Sequence, residues 1–346
     1  MNTTFHDELL RYAETLGFGD LHIKLDQSTD LCAIVAIHSN KRGPALGGCR
    51  LMEYDSMAAA VRDALRLARG MSYKAAICNL NLGGGKAVII KPKQIKDRKA
   101  FFEAFGRFVN EIGGRYITAI DSGTDMLDMD TINTQTPYVT TISKHNGNPA
   151  PFTATGVLIG IQEAVKFKLN RDTLDNIHVA IQGAGHVGYL LAKELTELGA
   201  RITICDKNKE SVQRCVDEFK AQTVALEKIY EVDCDVFAPC AVGGILNEKT
   251  IPLLKASIVA GSANNQLGEA ADGHLLHNRK ILYAPDYLIN AGGLIHAYAE
   301  YYNNSFEEAE QHILRIGKQL FQIFEREMRE NKPANEIADE IAASRL

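Results

Sequence analysis

The spacing of hydrophobic and polar positions changes repeatedly between two periods along the chain, which predicts alternating strands and helices. Short apolar runs at residues 86–90, 116–120 and 138–142, and two runs around a turn within 22–38, are typical of strands. Apolar residues three and four positions apart predict helices over 56–69 and 99–112, and an amphipathic helix over 1–20. The first 150 residues are therefore expected to form an α/β domain.

A segment rich in Gly, Asn and Pro, residues 143–153, is predicted to be a linker. After it, the pattern predicts a helix over 153–169, a strand–helix–strand unit over 178–206, strands within 235–240, 257–263 and 281–286, and helices from Asn290 onward. This order is typical of a doubly wound parallel sheet of the Rossmann type. We expect two α/β domains with a cleft between them: a substrate-binding, catalytic and oligomerisation domain over 1–150, rejoined by a helix at about 325–346, and a Rossmann domain over 151–324.

Composition narrows the class of protein. The 346 residues carry a net charge of −5 and are 46% hydrophobic, without a long apolar run or a block of basic residues. Membrane and nucleic-acid partners are therefore not expected. None of the seven cysteines forms a C-x-x-C pair, so we expect reduced thiols in a cytoplasmic protein and no metal site. The final Ser344-Arg345-Leu346 varies the S-K-L peroxisomal address, which has meaning only in a eukaryote, and otherwise ends a helix.

The sequence "GAGHVG" places glycines at 183, 185 and 188, between a predicted strand and a predicted helix. In that context the pattern predicts a dinucleotide site, because the glycines allow a tight turn and the helix N-terminus offers free N–H groups to a pyrophosphate. Asp206 ends the next strand, where a carboxylate accepts hydrogen bonds from a ribose and repels a 2′-phosphate. NAD is thus favoured over NADP, although Lys207 weakens the argument. A plain strand–turn–helix with a capping Asp206 is the alternative.

A second glycine-rich stretch, "NLNLGGGKAVII", ends in Lys86 and raises the question of a phosphate-binding loop. The P-loop pattern fails, because Leu80 occupies the first glycine position and Ala87 follows the lysine. Lys74, Lys86 and Asp121 each lie beside apolar runs, and we expect them to converge at one edge of the first domain. For each lysine taken alone, an ordinary surface position remains the alternative.

The order of several motifs resembles that of the glutamate/leucine/phenylalanine/valine dehydrogenases, and most nearly their leucine-type members. The segments that carry the resemblance are "GPALGGCR", "DALRLARGMSYKAA", "LNLGGGKAVII", "GRYITAID", "GAGHVG", "APCAVGG", "AGSANNQL" and "APDYLINAGGLI". The resemblance implies reversible, NAD-dependent oxidative deamination of an L-amino acid to a 2-oxo acid and ammonia. It further implies that Lys74 binds the substrate carboxylate and that Lys86 and Asp121 are catalytic.

The resemblance also implies the positions that surround substrate and cofactor. The implied substrate positions are Leu46, Gly47, Ala119, Asn290, Leu294 and Ala297. The implied cofactor positions are Thr153, Gly183, Ala184, Gly185, His186, Val187, Gly188, Asp206, Lys207, Cys240, Ala241, Ala263, Asn264 and Asn290. His186 and His296 replace residues that are usual in the family.

Substrate preference follows from the pocket. Glutamate enzymes have a lysine at the position of Leu46, so glutamate is disfavoured here, and the aliphatic pocket favours leucine, valine and isoleucine. Ala297 stands where a valine is usual, which enlarges the pocket and leaves phenylalanine open. A non-catalytic NAD-binding regulator is a third hypothesis, against which the retained Lys74, Lys86 and Asp121 argue. A homo-oligomer, either a dimer or an octamer, is expected.

Overall fold

The computed structural model describes residues 17, 19–145 and 148–346, so the helix predicted over 1–20 lies, apart from its last positions, outside the described residues. The described chain divides into two compact units. The first contains the described residues up to Asn148 together with Ala297–Asn304 and Ala342–Leu346. The second contains Pro149–His296 and Ser305–Ile341. Within the described residues, no helix is long and apolar enough to cross a membrane.

The first unit is built on a mixed sheet with the strand order β1-β2-β4-β3-β5. Strands β1 and β2 form an antiparallel hairpin, β2 pairs antiparallel with β4, and β3 lies between β4 and β5 and is parallel to both. A short 3-10 helix covers Ser143–His145. The strands and helices are β1 (Asp20–Asp26), β2 (Leu31–Ser39), β3 (Ala45–Met52), α1 (Met57–Ile77), β4 (Gly83–Ile90), α2 (Arg98–Glu111), β5 (Tyr116–Ile120) and α3 (Met126–Asn133).

Helices cover both faces of this sheet. The alanine-rich side of α1 packs on one face through Ala60, Ala64 and Ala68, against Ala36 and Val88. The opposite face carries a larger cluster that includes the phenylalanines of α2. Helix α1 begins at the Ser56 cap, whose hydroxyl accepts the Ala59 N–H, and it extends eight residues beyond the predicted end. Small side chains on α1 let the helix approach the sheet closely, which brings its last turn near β4.

The second unit contains a parallel sheet with the order β11-β10-β9-β6-β7-β8. This is the strand order of a Rossmann fold, with the topological switch between β6 and β9. Short 3-10 turns cover Leu226–Glu231 and Ile251–Leu253. The elements from Ala150 onward are α4 (Ala150–Leu169), β6 (His178–Gln182), α5 (His186–Glu197), β7 (Arg201–Cys205), α6 (Lys209–Phe219), β8 (Gln222–Thr223), β9 (Val236–Pro239), β10 (Ile258–Val259), α7 (Asp272–Asn278), β11 (Leu282–Tyr283), α8 (Asp286–Ile289), α9 (Gly292–Tyr301), α10 (Phe306–Glu330) and α11 (Ala334–Ser344). The last residues of α9 and of α11 belong to the first unit.

The C-terminal region differs from the sequence-based expectation. Helix α10 and most of α11 belong to the second unit, and not to the first as predicted for 325–346. The physical reason is the amphipathic α10, which packs its apolar side along α4, the helix that opens the second unit. Of residues 325–346, only Ala342–Leu346 lie in the first unit, where the Arg345 guanidinium donates to the carbonyls of Ala76 and Ile77 at the end of α1.

Two further local predictions were wrong, and one strand was not predicted. Residues 138–142 do not form a strand but make one isolated bridge, from Val139 to Thr118. The predicted linker over 143–153 already contains the first residues of α4, because Pro149 is followed by a helix that starts at Ala150. Strand β3 was not predicted from periodicity, because its two central glycines break the apolar alternation. The remaining predicted elements of both sheets are confirmed with shifts of a few residues at their ends.

Candidate active site

Lys86 and Asp121 form a buried ion pair in the first unit. The Lys86 Nζ lies 3.0 Å from the Asp121 Oδ2, and the lysine side chain is 7% exposed. Lys86 lies on β4 and Asp121 directly follows β5, with β3 between the two strands. The predicted convergence of these two residues is therefore confirmed, and the surface-lysine alternative for Lys86 is wrong.

Gly48 on β3 is what lets the pair form across the intervening strand. A Cβ at this position would lie 2.6 Å from the Ile120 carbonyl oxygen and 2.8 Å from the Asp121 Cβ. Both distances are shorter than real carbon contacts, so any larger residue displaces the carboxylate. Gly47 is tighter still, since a Cβ there would lie 1.7 Å from the Gly85 carbonyl oxygen. The glycines of β3 thus allow the neighbouring strands to approach more closely than a residue with a Cβ would permit.

Gly84, the middle glycine of "GGGK", positions α1 rather than a phosphate. A Cβ on Gly84 would lie 2.0 Å from the backbone nitrogen of Ser72, which is fully buried in α1. The Ser72 hydroxyl is also 2.8 Å from the His38 Nδ1 on β2. Lys74 follows Ser72 by two residues and lies in the last turn of α1. The close approach at Gly84 therefore fixes the helix turn that carries Lys74 against the strand that carries Lys86.

Arg50 also belongs to this group, although no sequence pattern singled it out. Its Nε donates to the Asp121 Oδ2 at 3.0 Å, and its Nη1 donates to the Asp63 Oδ2 at 3.0 Å. Burial by itself raises the pKa of the Asp121 carboxyl, but the charges of Lys86 and Arg50 outweigh it and hold that pKa below its ordinary value. Asp121 is therefore ionised at neutral pH. Tyr54 also donates to Asp63, at 2.7 Å.

The side chains expected to form the substrate pocket are buried. Leu46 and Ala119 lie on the neighbouring strands β3 and β5, where Leu46 pairs with Ile117 and Gly48 pairs with Ala119. Ala297 belongs to the same unit, and its carbonyl accepts a hydrogen bond from the Thr140 hydroxyl at 3.1 Å. Leu294 is buried in the second unit. The residues in the first unit supply an apolar surface without a charged group at position 46.

The glycine turn after β6 has the geometry of a dinucleotide-binding loop. Gly183 adopts φ +113°, and a Cβ there would press on the backbone between Cys240 and Ala241, which follow β9. Gly188 touches the Gly183 carbonyl so closely that a Cβ would lie 2.0 Å from its oxygen. Gly185 caps α5 without a side-chain bond and has open space around it, so the first N–H groups of α5, at His186 and Val187, are available to an anion.

Asp206 lies where predicted, at the end of β7, and it also organises the loop. Its Oδ2 accepts the Ala184 N–H at 2.7 Å and its Oδ1 accepts the Asn208 N–H at 2.8 Å. Each carboxylate oxygen keeps a second lone pair for a ribose hydroxyl. Lys207 follows on the exposed surface.

The hydrogen bonds of the Asn290 side chain indicate whether the second unit fits a nicotinamide. Its Nδ2 donates to the Asn264 Oδ1 at 2.9 Å and to the Ser262 carbonyl at 3.1 Å. Its own Oδ1 is buried without a hydrogen-bond partner among the described residues. A buried acceptor of this kind matches the amide donor of a carboxamide. Ala263 lies beside Asn264, and its carbonyl is bound by the buried Gln266 side chain.

Thr153 and His296 lie where α4 and α9 begin side by side. The Thr153 hydroxyl would be 2.8 Å from a Cβ on Gly293, so the two helix starts are in contact. Phe152 stacks on the His296 ring with 4.0 Å between centroids and 9° between planes. Burial lowers the pKa of His296, so the stacked imidazole is neutral at neutral pH. No sequence pattern indicated this stack, because its two partners are far apart along the chain.

The second unit is a Rossmann fold with a glycine loop suited to a dinucleotide, and the first unit carries the Lys86–Asp121 ion pair. Together these features define a dinucleotide-binding α/β protein. Comparison with known proteins narrows the class. The family description "Glu/Leu/Phe/Val dehydrogenase, dimerisation domain" matches residues 20–138, and "Glutamate/Leucine/Phenylalanine/Valine dehydrogenase" matches residues 202–344. The chain belongs to this family, and it is an amino-acid dehydrogenase.

Individual relatives agree with this assignment. The chain is 47% identical over 342 residues to leucine dehydrogenase from Geobacillus stearothermophilus, which covers 98% of this chain and 93% of that protein. It is 42% identical over 321 residues to L-tryptophan dehydrogenase from Nostoc punctiforme, covering 92% and 91%. The crystal structure of the latter enzyme superposes with a TM-score of 0.84 at 39% identity and covers 97% of this chain and 98% of that one. NAD, the cofactor of the leucine dehydrogenases, fits the Rossmann unit.

Proposed function

We propose that the chain catalyses the reversible oxidative deamination of a branched-chain L-amino acid, with NAD as the hydride acceptor. The observation that carries the choice of substrate is that Leu46, Ala119 and Ala297 are each buried and apolar, so none of these three positions offers a cation to a side-chain carboxylate. Burial of an aliphatic side chain contributes about 1.5–3 kcal/mol, and an unpaired glutamate carboxylate would oppose binding. Glutamate is therefore the least favoured substrate.

The roles of the polar side chains follow from their chemistry. Lys74 holds the α-carboxylate as a fixed cation, and its place at the end of α1 keeps it near the Lys86 strand. Lys86 passes its proton to the ionised Asp121 and then takes a proton from the water that adds to the iminium carbon, and Asp121 delivers the proton that it received to the departing amine. When bound, NAD accepts the hydride that leaves Cα. The Asn290 Oδ1 is suited to the nicotinamide amide, and Asp206 is suited to the ribose hydroxyls.

The cofactor positions are proposed to act as one surface. Thr153, Cys240, Ala241, Ala263 and Asn264 lie at the start of α4 and in the loops that follow β9 and β10. The loop glycines at 183, 185 and 188 and the first turn of α5 hold the pyrophosphate by backbone N–H groups.

A homo-oligomer is proposed from the edge of the first sheet. Leu21, Ile23 and Leu25 of the edge strand β1 are exposed to 37%, 49% and 67%. Three apolar side chains in a row on an edge strand are typical of a surface that a partner covers. The dimerisation domain named in the family description includes this strand. A dimer or an octamer fits these observations, and the seven free cysteines fit a cytoplasmic enzyme.

The decisive experiment measures NADH formation with a panel of L-amino acids and NAD, and repeats it with NADP. We expect the highest kcat/KM for leucine, valine or isoleucine, and a strong preference for NAD. A higher kcat/KM for phenylalanine or tryptophan would support the second candidate, an aromatic amino-acid dehydrogenase, which the small Ala297 favours. The absence of turnover with every amino acid would refute both and leave the non-catalytic NAD-binding protein.

A further inference from the structure

Arg50 connects two carboxylates that lie on different elements of the first unit. It lies on β3, and its guanidinium donates through Nε to Asp121 and through Nη1 to Asp63, each at 3.0 Å. Its side chain is 20% exposed, and those of Asp63 and Asp121 are 18% and 22% exposed. A guanidinium that donates hydrogen bonds from two of its edges to two half-buried carboxylates has little rotational freedom.

At the Asp121 end, Arg50 shares one oxygen with Lys86. Both cations lie 3.0 Å from Oδ2, and within the described residues no hydrogen bond is made to Oδ1. The backbone of Asp121 is fixed as well, because its N–H donates to the Thr124 hydroxyl at 3.0 Å. The carboxylate is thus held through one oxygen, Oδ2.

At the other end, Asp63 anchors Arg50 to α1. The Asp63 Oδ2 accepts from Arg50 and from the Tyr54 hydroxyl, and its Oδ1 accepts from Arg66 at 3.0 Å. Burial raises the pKa of Asp63, but these donors outweigh it and keep the carboxyl ionised. Lys74 lies in the last turn of the same helix. Arg50 therefore ties the helix of the carboxylate-binding lysine to the carboxylate of the catalytic pair.

We propose that Arg50 is a positioning residue for Asp121, with Asp63 as its anchor on α1. The inference rests on the proposed function, because it assigns Arg50 to the proton transfers of Asp121 and Lys86. Arg50 does two separable things. Its charge keeps the Asp121 carboxylate ionised, and its fixed geometry directs that carboxylate.

The charges around Asp121 determine what pH dependence to expect. The Asp121 carboxylate is approached by Lys86, which lies on β4, and by Arg50, which lies on β3. The Cys49 thiol on β3 and the Tyr116 hydroxyl on β5 lie nearby. Burial raises the pKa of both Cys49 and Tyr116, so neither supplies charge at neutral pH. Arg50 is thus one of two cations at the carboxylate within the described residues. Because burial raises the pKa of Asp121, removal of Arg50 should raise that pKa.

Three variants separate charge from geometry. Arg50→Gln removes both, and we expect kcat/KM to fall about 10²-fold, mainly in kcat, with the acid limb of the pH profile moving up by about one unit. Arg50→Lys keeps the charge, so the acid limb should return close to wild type while the rate recovers only in part. Asp63→Asn keeps Arg50 but loosens it, and we expect a lower kcat without a shift of the acid limb.

Arg98→Gln is the matched control. Arg98 forms a bidentate pair with Asp128 in the same unit, with contacts of 2.7 and 2.6 Å, and Asp128 is buried. We expect this variant to lower the melting temperature as Arg50→Gln does, without changing the pH profile or kcat/KM. The KM for NAD should be unchanged in every variant.

A second readout does not depend on turnover. The Asp121 carboxyl can be titrated by NMR of carbon-labelled aspartate in the free protein, with Asp121→Asn to assign its signal. We expect its midpoint to rise in Arg50→Gln and to stay near wild type in Arg50→Lys. If wild type turned over no amino acid, the proposed function would fail, while this titration would still decide the inference. An unchanged midpoint in Arg50→Gln, or a wild-type pH profile and rate in an active enzyme, would overturn it.

Discussion

Gly48→Ala is a minimal perturbation of the Lys86–Asp121 pair, because it adds one methyl group between the two strands that carry them. The new Cβ would lie 2.8 Å from the Asp121 Cβ and 2.6 Å from the Ile120 carbonyl oxygen. Ordinary carbon contacts are about 3.5–4.0 Å, so Asp121 must move by about 0.7 Å or more. A displacement of that size lengthens the 3.0 Å contact with Lys86 beyond hydrogen-bond distance.

A misplacement of about 1 Å costs about 10²-fold in rate when it affects a reacting group. We therefore expect kcat/KM for the amino acid to fall by about that factor in Gly48→Ala, and NAD binding to stay unchanged, because the cofactor positions of the Rossmann unit are untouched. Overpacking of this kind also destabilises a protein by about 1–3 kcal/mol. Steady-state kinetics and urea unfolding of the same preparation measure both effects.

Gly70→Ala is the control for this substitution. Gly70 lies within α1, and a Cβ there would meet nothing within 4 Å. Alanine in the middle of a helix should stabilise the protein by about 0.5–1 kcal/mol and leave kcat/KM unchanged. If Gly48→Ala kept kcat/KM within twofold of wild type, the argument that this glycine makes room for the ion pair would be refuted.

Three further predictions concern other parts of the molecule. Lys86→Ala should abolish turnover and preserve NAD affinity measured by fluorescence titration. Lys91→Ala, at an exposed position directly after the same strand, should behave as wild type. A loss of NAD affinity in Lys86→Ala would contradict the proposed role. The hydrogen bond to Glu327 raises the pKa of His277, so its contribution to stability is present below the ordinary value of about 6.5 and is lost as the pH rises through the raised pKa. The free energy of unfolding, measured with urea from about pH 5 to about pH 9, should decline in wild type and change less in His277→Gln. Equal pH dependence in the two proteins would exclude the explanation. Leu25→Glu on β1 should reduce the molar mass measured by light scattering, and an unchanged mass would exclude β1 as the interface.

The sequence predicted those features that depend on neighbouring residues along the chain. The periodicity of β6, β7 and α5, with "GAGHVG" between them, was enough to predict a Rossmann unit, because the turn, the strand and the helix are all local. The strand ending at Asp121 and the failure of the P-loop pattern at Lys86 were local as well. Strand β3 escaped prediction, because its glycines are there for contacts with β4 and β5 and not for its own conformation.

The C-terminal helices show the same limit. Their amphipathic pattern predicts that α10 is a helix with one buried side, but it does not say which unit that side packs against. The structure pairs it with α4, more than a hundred residues earlier in the chain. A pattern of apolar residues is satisfied by any apolar surface of suitable shape, so the choice between two domains needs the folded chain.

By itself, the sequence determined the class of fold, the dinucleotide loop and the candidate status of Lys74, Lys86 and Asp121, because these follow from local spacing and from motifs. Only the tertiary structure decided that Lys86 and Asp121 meet over Gly48 and that Arg50 ties Asp121 to Asp63. The reason is physical. Local patterns determine backbone conformation and burial, whereas the partners of a charged side chain depend on strand order and register, which bring together residues that are far apart in the chain.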